Sequence, residues 1–391
     1  MKILIASDTY IYQTNGVLTV LITLVDGLRQ LGYEVKVLAP ANGRESFQKG
    51  DDYFIRSLPA PYYPNERLCL VHWDPMLDDL ISWKPDIVHF HTEGLIGRLA
   101  IRVAKKSKAT LVVTSHTDFA KFVFGNFHDL LPVRAVCKAL GKLYYPHVRA
   151  IIVPSEKSKS YSWLRDYSDH VTVISNGIRL ERFQKPVSGR AALLQQHGLM
   201  DNGFTLVMVT RVSREKNIIE ILRYFPALLR VLPDAQLVIV GDGPDRKRLE
   251  RYCVRNGLSE CVRFTGRVGL DDVYRYYALG DVFVSASTFE TQGLTYIEAM
   301  ACGLPMVCRK DICLKNVLEN GRNGFVYETE QEFTEVVRRV LTDEELKKAM
   351  SEEALSMVKA FSDNIFVERT VALYEKVIQM GMKDKASSPD R

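Results

Sequence analysis

Residues 2–39 read KILIASDTYIYQTNGVLTVLITLVDGLRQLGYEVKVLA, and they decide the fold. The apolar run 2–7 has the length and composition of a buried strand. After the turn Thr14-Asn15-Gly16, apolar residues at Val17, Leu18, Leu21, Leu24, Val25, Leu28 and Leu31 recur at helical spacing. Gly32 stops that helix, and 34–39 is the next strand. Strand, helix and strand in this order build a parallel sheet through a right-handed crossover.

The rhythm continues outward. Strands are expected at 87–90, 111–115, 150–154 and 171–174, with room for crossover helices between them. After Ser175-Asn176-Gly177 and a polar, helix-poor stretch to about residue 203, it restarts. Strand 204–210, helix 218–231 and strand 236–240 lead to the turn Gly241-Asp242-Gly243-Pro244. A basic helix, strand 262–265, another helix and strand 282–286 follow. The pattern Phe366, Leu373, Tyr374, Val377, Ile378 predicts a helix over 364–380, and the polar tail 383–391 is expected to be disordered. The fold class is α/β, with two Rossmann-like doubly wound domains, 1–180 and 181–363, and helix 364–380 packing back on the first. Facing domains of this kind leave a cleft at the carboxyl ends of their strands, where ligands of open α/β folds bind.

A chain of 391 residues is long enough for two such cores. Seven scattered cysteines show neither a C-x-x-C pair nor zinc-ligand spacing, which points to reduced thiols in the cytosol. Asp8 cuts the first apolar run below signal-peptide length, and no stretch approaches the ~20 apolar residues of a membrane span. Any membrane role is therefore peripheral. Residues 1–180 carry 22 Lys+Arg against 17 Asp+Glu, and the remainder balances at 30 each. Within 94–165, thirteen basic residues, among them Lys105, Lys106, Lys138 and Lys142, face three acids.

The segment Phe289-Glu290-Thr291-Gln292-Gly293-Leu294-Thr295-Tyr296-Ile297-Glu298-Ala299 carries the most chemistry. If Gly293 opens a helix, the free N–H groups and positive dipole end there suit a diphosphate. Glu290 then stands just before the helix and Glu298 about a turn inside it. One carboxylate can reach a sugar and the other a ribose; equally, the two can be a capping carboxylate and a solvated helix residue. Arg211, leaving a strand, and Lys216, five residues on, can converge on a diphosphate and neutralise the charge of a departing group, or be two surface cations. Gly16 can admit a phosphate or sugar to the backbone or simply make a turn. His116, directly after a strand, can bond a substrate hydroxyl, pair with an acid, or be structural. The Gly241 turn lacks the third glycine of G-x-G-x-x-G, because Arg246 takes that place.

In order and spacing, Thr14-Asn15-Gly16, the His116 segment, Asn176-Gly177-Ile178, Arg211 with Lys216, Gly241-Asp242-Gly243-Pro244, Phe264-Thr265-Gly266 and 290–298 resemble glycosyltransferase family 4 across about 370 residues. The resemblance implies a GT-B fold and transfer with retention from a nucleotide sugar bound mainly by the second domain. It implies that Arg211 and Lys216 bind the donor diphosphate, with Gly16 approaching from the first domain. Glu290 would hold sugar hydroxyls near the backbone of Gly293 and Leu294, Glu298 the ribose, and His116 would line the sugar and acceptor side. The departing phosphate accepts the acceptor's proton, so no protein base, obligatory cofactor or metal is implied, and a divalent cation enters at most as a stimulant. Arg179 departs from the pattern, since many relatives place aspartate there.

Gln292 before the glycine is most similar to the diacylglycerol glucosyltransferase branch. That implies UDP-glucose as donor, diacylglycerol as acceptor and an anionic lipid surface as partner, at the inner face of the cell membrane. Segment 121–149 interleaves Phe122, Phe124, Phe127, Leu130, Tyr144 and Tyr145 with Lys138, Lys142 and Arg149, as an interfacial helix would. Each cation near such a surface is worth about 1 kcal/mol; the alternative is a core helix with a solvated face. Rival readings are a family 4 transferase with a polysaccharide or soluble acceptor, a nucleotide-sugar 2-epimerase, and a basic nucleic-acid-binding module. The expectation is that nucleic acid is not a partner.

Overall fold

The computed structural model describes residues 1–10, 16–59, 67–116, 138–139, 141–184 and 189–386. The chain divides into two compact units, Met1–Ile178 with Asp363–Arg391, and Arg179–Ser362.

In the first unit, strands β1 (Lys2–Ala6), β2 (Glu34–Pro40), β3 (Phe47–Lys49), β4 (Asp52–Ile55), β5 (Ile87–Phe90), β6 (Thr110–Thr114), β7 (Ala150–Val153) and β8 (Val171–Val173) form one sheet. Their order is β8-β7-β6-β5-β1-β2-β4-β3. All pairs are parallel except the β3–β4 hairpin. Helices α1 (Gly16–Gln30), α2 (Met76–Trp83) and α3 (Leu95–Ser107) lie between its strands. Ile3, Leu4 and Ile5 are wholly buried, as a parallel strand covered on both faces must be. The hairpin was not expected from the sequence; strands of three and four residues are too short to carry a periodic signal.

In the second unit, β9 (Phe204–Val209), β10 (Ala235–Val240), β11 (Val262–Gly266), β12 (Val282–Ser285), β13 (Met306–Arg309) and β14 (Gly324–Tyr327) are all parallel. The order β11-β10-β9-β12-β13-β14 is the Rossmann order 3-2-1-4-5-6. Helices α4 (Arg190–Gln196), α5 (Ile218–Val231), α6 (Arg246–Arg255), α7 (Leu294–Ala301), α8 (Glu330–Thr342) and α9 (Glu344–Met357) accompany it. Helix α4 corrects the helix-poor reading of this stretch: two turns anchored by buried Leu193 and Leu194 leave too faint a pattern to read.

The chain returns to the first unit at Asp363, whose N–H donates to the Ile178 carbonyl at 3.0 Å. Helix α10 (Asp363–Ala386) then packs on α1, where a Cβ on Gly27 would stand 2.5 Å from Val367 Cγ2. It runs through residues 383–386, which were expected to be disordered, because polar Lys383, Asp384 and Lys385 do not interrupt a helix already formed. Residues 387–391 lie outside the described residues.

Candidate active site

A doubly wound sheet binds at the carboxyl ends of its strands, where the strand order reverses. In the second unit that point lies between β9 and β12. The chain leaves β9 through Arg211 and leaves β12 toward Glu290, so topology alone brings these two loops together. Lys216 Nζ donates to Glu290 Oε1 at 2.6 Å, with both side chains less than 20% exposed. Glu290 is therefore no helix cap; it is the counter-ion of Lys216. Arg211 is exposed, and no side-chain hydrogen bond or ion pair holds it among the described residues.

Gly293 takes the left-handed conformation, φ 76°, immediately before α7. A Cβ there would lie 2.5 Å from two ring carbons of Tyr296 and 3.3 Å from Glu290 Cγ, so glycine is required by both backbone and space. No acidic residue stands in the first turn of α7, whose N-cap is Gly293, so the positive end of its dipole carries no acidic charge of its own. Glu298 is not a solvated helix residue. Its Oε2 accepts from Tyr277 OH at 2.6 Å, and burial pushes its carboxyl above the usual range.

The Lys216 loop has a support that the sequence reading missed. Asn217, left-handed at φ 51°, donates through Nδ2 to Glu220 Oε2 at 2.9 Å. Glu220 Oε1 in turn accepts from Arg309 at 2.9 Å and from Tyr327 OH at 3.1 Å. The signal was Glu220 in the first turn of α5, but its partners on β13 and β14 are about 90 and 107 positions away. The glycines of Gly241-Asp242-Gly243-Pro244 serve packing, since Cβ atoms would stand 2.0 Å from the Thr210 carbonyl oxygen and 2.3 Å from that of Val212.

In the first unit, His116 follows β6 and is buried. Among the described residues its ring partner is another histidine, not an acid: Nε2 lies 3.0 Å from His91 Nδ1. Burial lowers the His116 pKa to about 4, so the ring is neutral at ordinary pH. His89 and His91, at alternate positions on and just after β5, had not been singled out; the period-2 repeat at a strand's carboxyl end was the available signal. Nearby, Asp8 accepts from Thr92 Oγ1 at 2.7 Å and from the Ile96 N–H at 2.9 Å, capping α3. Gly16 is exposed and opens α1, while Thr14 and Asn15 lie outside the described residues. Among the described residues, no group of three His, Cys, Asp or Glu is arranged to hold a metal ion.

The basic face is only partly as expected. Lys105 and Lys106 are exposed on the last turn of α3, with Lys106 Nζ 3.9 Å from the Trp73 ring centroid. Lys142 is exposed, but Lys138 is paired with Asp166 at 2.7 Å, an acid one position beyond the basic window. Tyr144 and Tyr145, read as part of an interfacial helix, are core residues instead. Their hydroxyls donate to the Gly94 carbonyl at 3.2 Å and to Glu93 at 2.7 Å. Phe122, Phe124, Phe127 and Leu130 lie outside the described residues. No helix among the described residues is long and apolar enough to cross a membrane.

Two Rossmann-ordered units, one with a lysine–glutamate pair beside a glycine-led helix N-terminus, are the GT-B architecture of glycosyl-transferring enzymes. The chain belongs to the family 4 glycosyltransferases: "Glycosyltransferase Family 4" matches residues 14–182 and "Glycosyl transferases group 1" matches 190–357. It is 30% identical over 349 residues to the alpha-monoglucosyldiacylglycerol synthase of Streptococcus pneumoniae, covering 87% of this chain and 78% of that one. It is 29% identical over 396 residues to the protein of that name from Acholeplasma laidlawii, with 98% and 99% covered. Among solved structures, HepE of Anabaena in complex with UDP has the same fold, with a TM-score of 0.77 at 19% identity, covering 96% of this chain and 100% of that one.

Proposed function

We propose that the protein transfers glucose from UDP-glucose to the free hydroxyl of diacylglycerol, with retention of configuration, while docked on an anionic membrane surface. The observation that carries the donor half is Lys216 against Glu290 beside the N-terminus of α7. In this reading Lys216, Arg211 and the N–H groups at Gly293 and Leu294 take the diphosphate. Glu290 takes sugar hydroxyls and Glu298 the ribose. The C1–O bond to the diphosphate breaks as the acceptor oxygen bonds C1 on the same face, and the acceptor's proton passes to the departing phosphate. Cations placed where negative charge develops lower that barrier without proton transfer. His116, neutral and buried, lines the sugar and acceptor side.

The acceptor half is supported by the two diacylglycerol-glucosylating relatives and by Lys105, Lys106 and Lys142 exposed on the first unit. The test is incubation of purified protein with radiolabelled UDP-glucose, with and without anionic vesicles containing diacylglycerol. Organic-phase label that needs both the vesicles and Glu290 supports the reading; label confined to the aqueous phase overturns the lipid acceptor.

A further inference from the structure

His89 and His91 occupy alternate positions on and just after β5, so they share one face of the sheet, while Phe90 belongs to the core cluster on the other. His89 is tied at both nitrogens. Nδ1 lies 2.6 Å from the hydroxyl of Tyr374 on α10, and Nε2 lies 2.7 Å from Thr114 Oγ1 on β6. Burial lowers its pKa to about 3, so the ring is neutral and must accept at one nitrogen and donate from the other. Whichever nitrogen carries the proton, one of the two bonds goes to the Tyr374 hydroxyl and the other to Thr114. The ring plane of His89 is thereby set in part from the carboxyl-terminal helix.

The His89 ring lies against His91, tilted by 35° with 4.0 Å between centroids, and His91 Nδ1 meets His116 Nε2 at 3.0 Å. His91 Nε2 is buried and has no hydrogen-bond partner among the described residues. The orientation of His91 therefore depends on its ring contact with His89 and on its one ring hydrogen bond among the described residues, to His116. A ring held that way transmits whatever happens to its neighbour. We propose that Tyr374 is a positioning residue for the His116 imidazole, acting from α10 through His89 and His91. This rests on the reading that His116 lines the sugar and acceptor side.

A double-mutant cycle on the full chain tests it, with transfer kinetics and 15N-histidine NMR read together. Tyr374→Phe is expected to lower kcat about tenfold, with the donor KM within about twofold, and to shift the His91 and His116 ring-nitrogen signals. In a His116→Gln background, Tyr374→Phe is expected to add nothing. Val367→Ala, on the same helix but away from the histidines, is expected to lower the melting temperature without changing kcat. Effects of Tyr374→Phe and His116→Gln that multiply independently, or unmoved histidine signals in Tyr374→Phe, overturn the proposal. A His116→Gln enzyme at the wild-type kcat overturns the reading beneath it, and the proposal with it. If Tyr374→Phe does not accumulate as folded protein, Thr114→Val removes the other tie of His89 and makes the same comparison.

Discussion

Lys216 Nζ stands 2.6 Å from Glu290 Oε1, although 74 positions separate the two residues. They meet because β9 and β12 are sheet neighbours whose following loops emerge on either side of the point where the strand order reverses. Lys216→Ala is expected to lower kcat/KM for the nucleotide sugar about 100-fold or more, as loss of a charge-stabilising donor does. Glu290→Gln is expected to impair transfer while UDP still binds. Initial rates together with UDP titration check both, and a Lys216→Ala enzyme at the wild-type rate would remove the lysine from the mechanism.

Gly293 and Gly257 both take positive φ, 76° and 67°, but only Gly293 has neighbours that a Cβ would strike. Gly257→Ala is expected to cost about 1 kcal/mol for the left-handed backbone alone. Gly293→Ala is expected to cost more by at least about 1 kcal/mol, as the Tyr296 ring must move. Urea denaturation of the two variants measures the difference.

Acid is expected to destabilise the first unit. The folded pKa of His116, about 4, lies below its ordinary 6.5. The unfolded chain therefore binds the extra proton between those values, and stability falls as pH drops through that window. Between pH 7 and 5 this one group accounts for about 2 kcal/mol, and His89, lowered to about 3, acts in the same direction. Chemical denaturation across that range is expected to show a loss that His116→Gln reduces.

Glu298 has the opposite sign. Its folded pKa is raised by burial, so its contribution is present at low pH and lost as pH rises through the folded value. Tyr277→Phe removes the hydroxyl 2.6 Å from Oε2 and is expected to cost about 1–3 kcal/mol. The cost should be larger at pH 8 than at pH 5, where the carboxyl is closer to neutral. Equal losses at the two pH values would show that the hydroxyl does not support the ionised form.

Vesicle binding separates the four lysines. Lys105→Ala with Lys106→Ala is expected to weaken sedimentation with anionic vesicles about ten- to thirty-fold, at about 1 kcal/mol per cation. Lys138→Ala is expected to do less, because Asp166 already sits 2.7 Å from that ammonium. A uniform effect across all four positions would argue for a diffuse field in place of a docking face.

The long elements of both units were legible because each buries a repeating face: α5 was read to its ends at 218 and 231, and β1 from an uninterrupted apolar run. The candidate residues Lys216, Glu290, Gly293 and Glu298 were legible as types at strand ends and a helix start. Their partners were not. Nothing local to Glu298 names Tyr277, and nothing local to Tyr144 distinguishes a core tyrosine from an interfacial one, since both are amphipathic. The partner of Lys138 was hidden for a similar reason, because a charge count along the chain stops at an arbitrary boundary that the ion pair with Asp166 crosses.

Helix α10 gives the chain an unusual schedule of assembly. His89 and Tyr374 are 285 positions apart, with the whole of the second unit between them. At about 5–20 residues per second, a ribosome delivers the tyrosine some 15–60 s after the histidine. By the end of that interval the second unit has all of its strands and can fold, while α1 still lacks the helix that covers it. The domain whose synthesis begins first is thus completed last, and a chain released before α10 would carry an intact second sheet beside an unfinished first one.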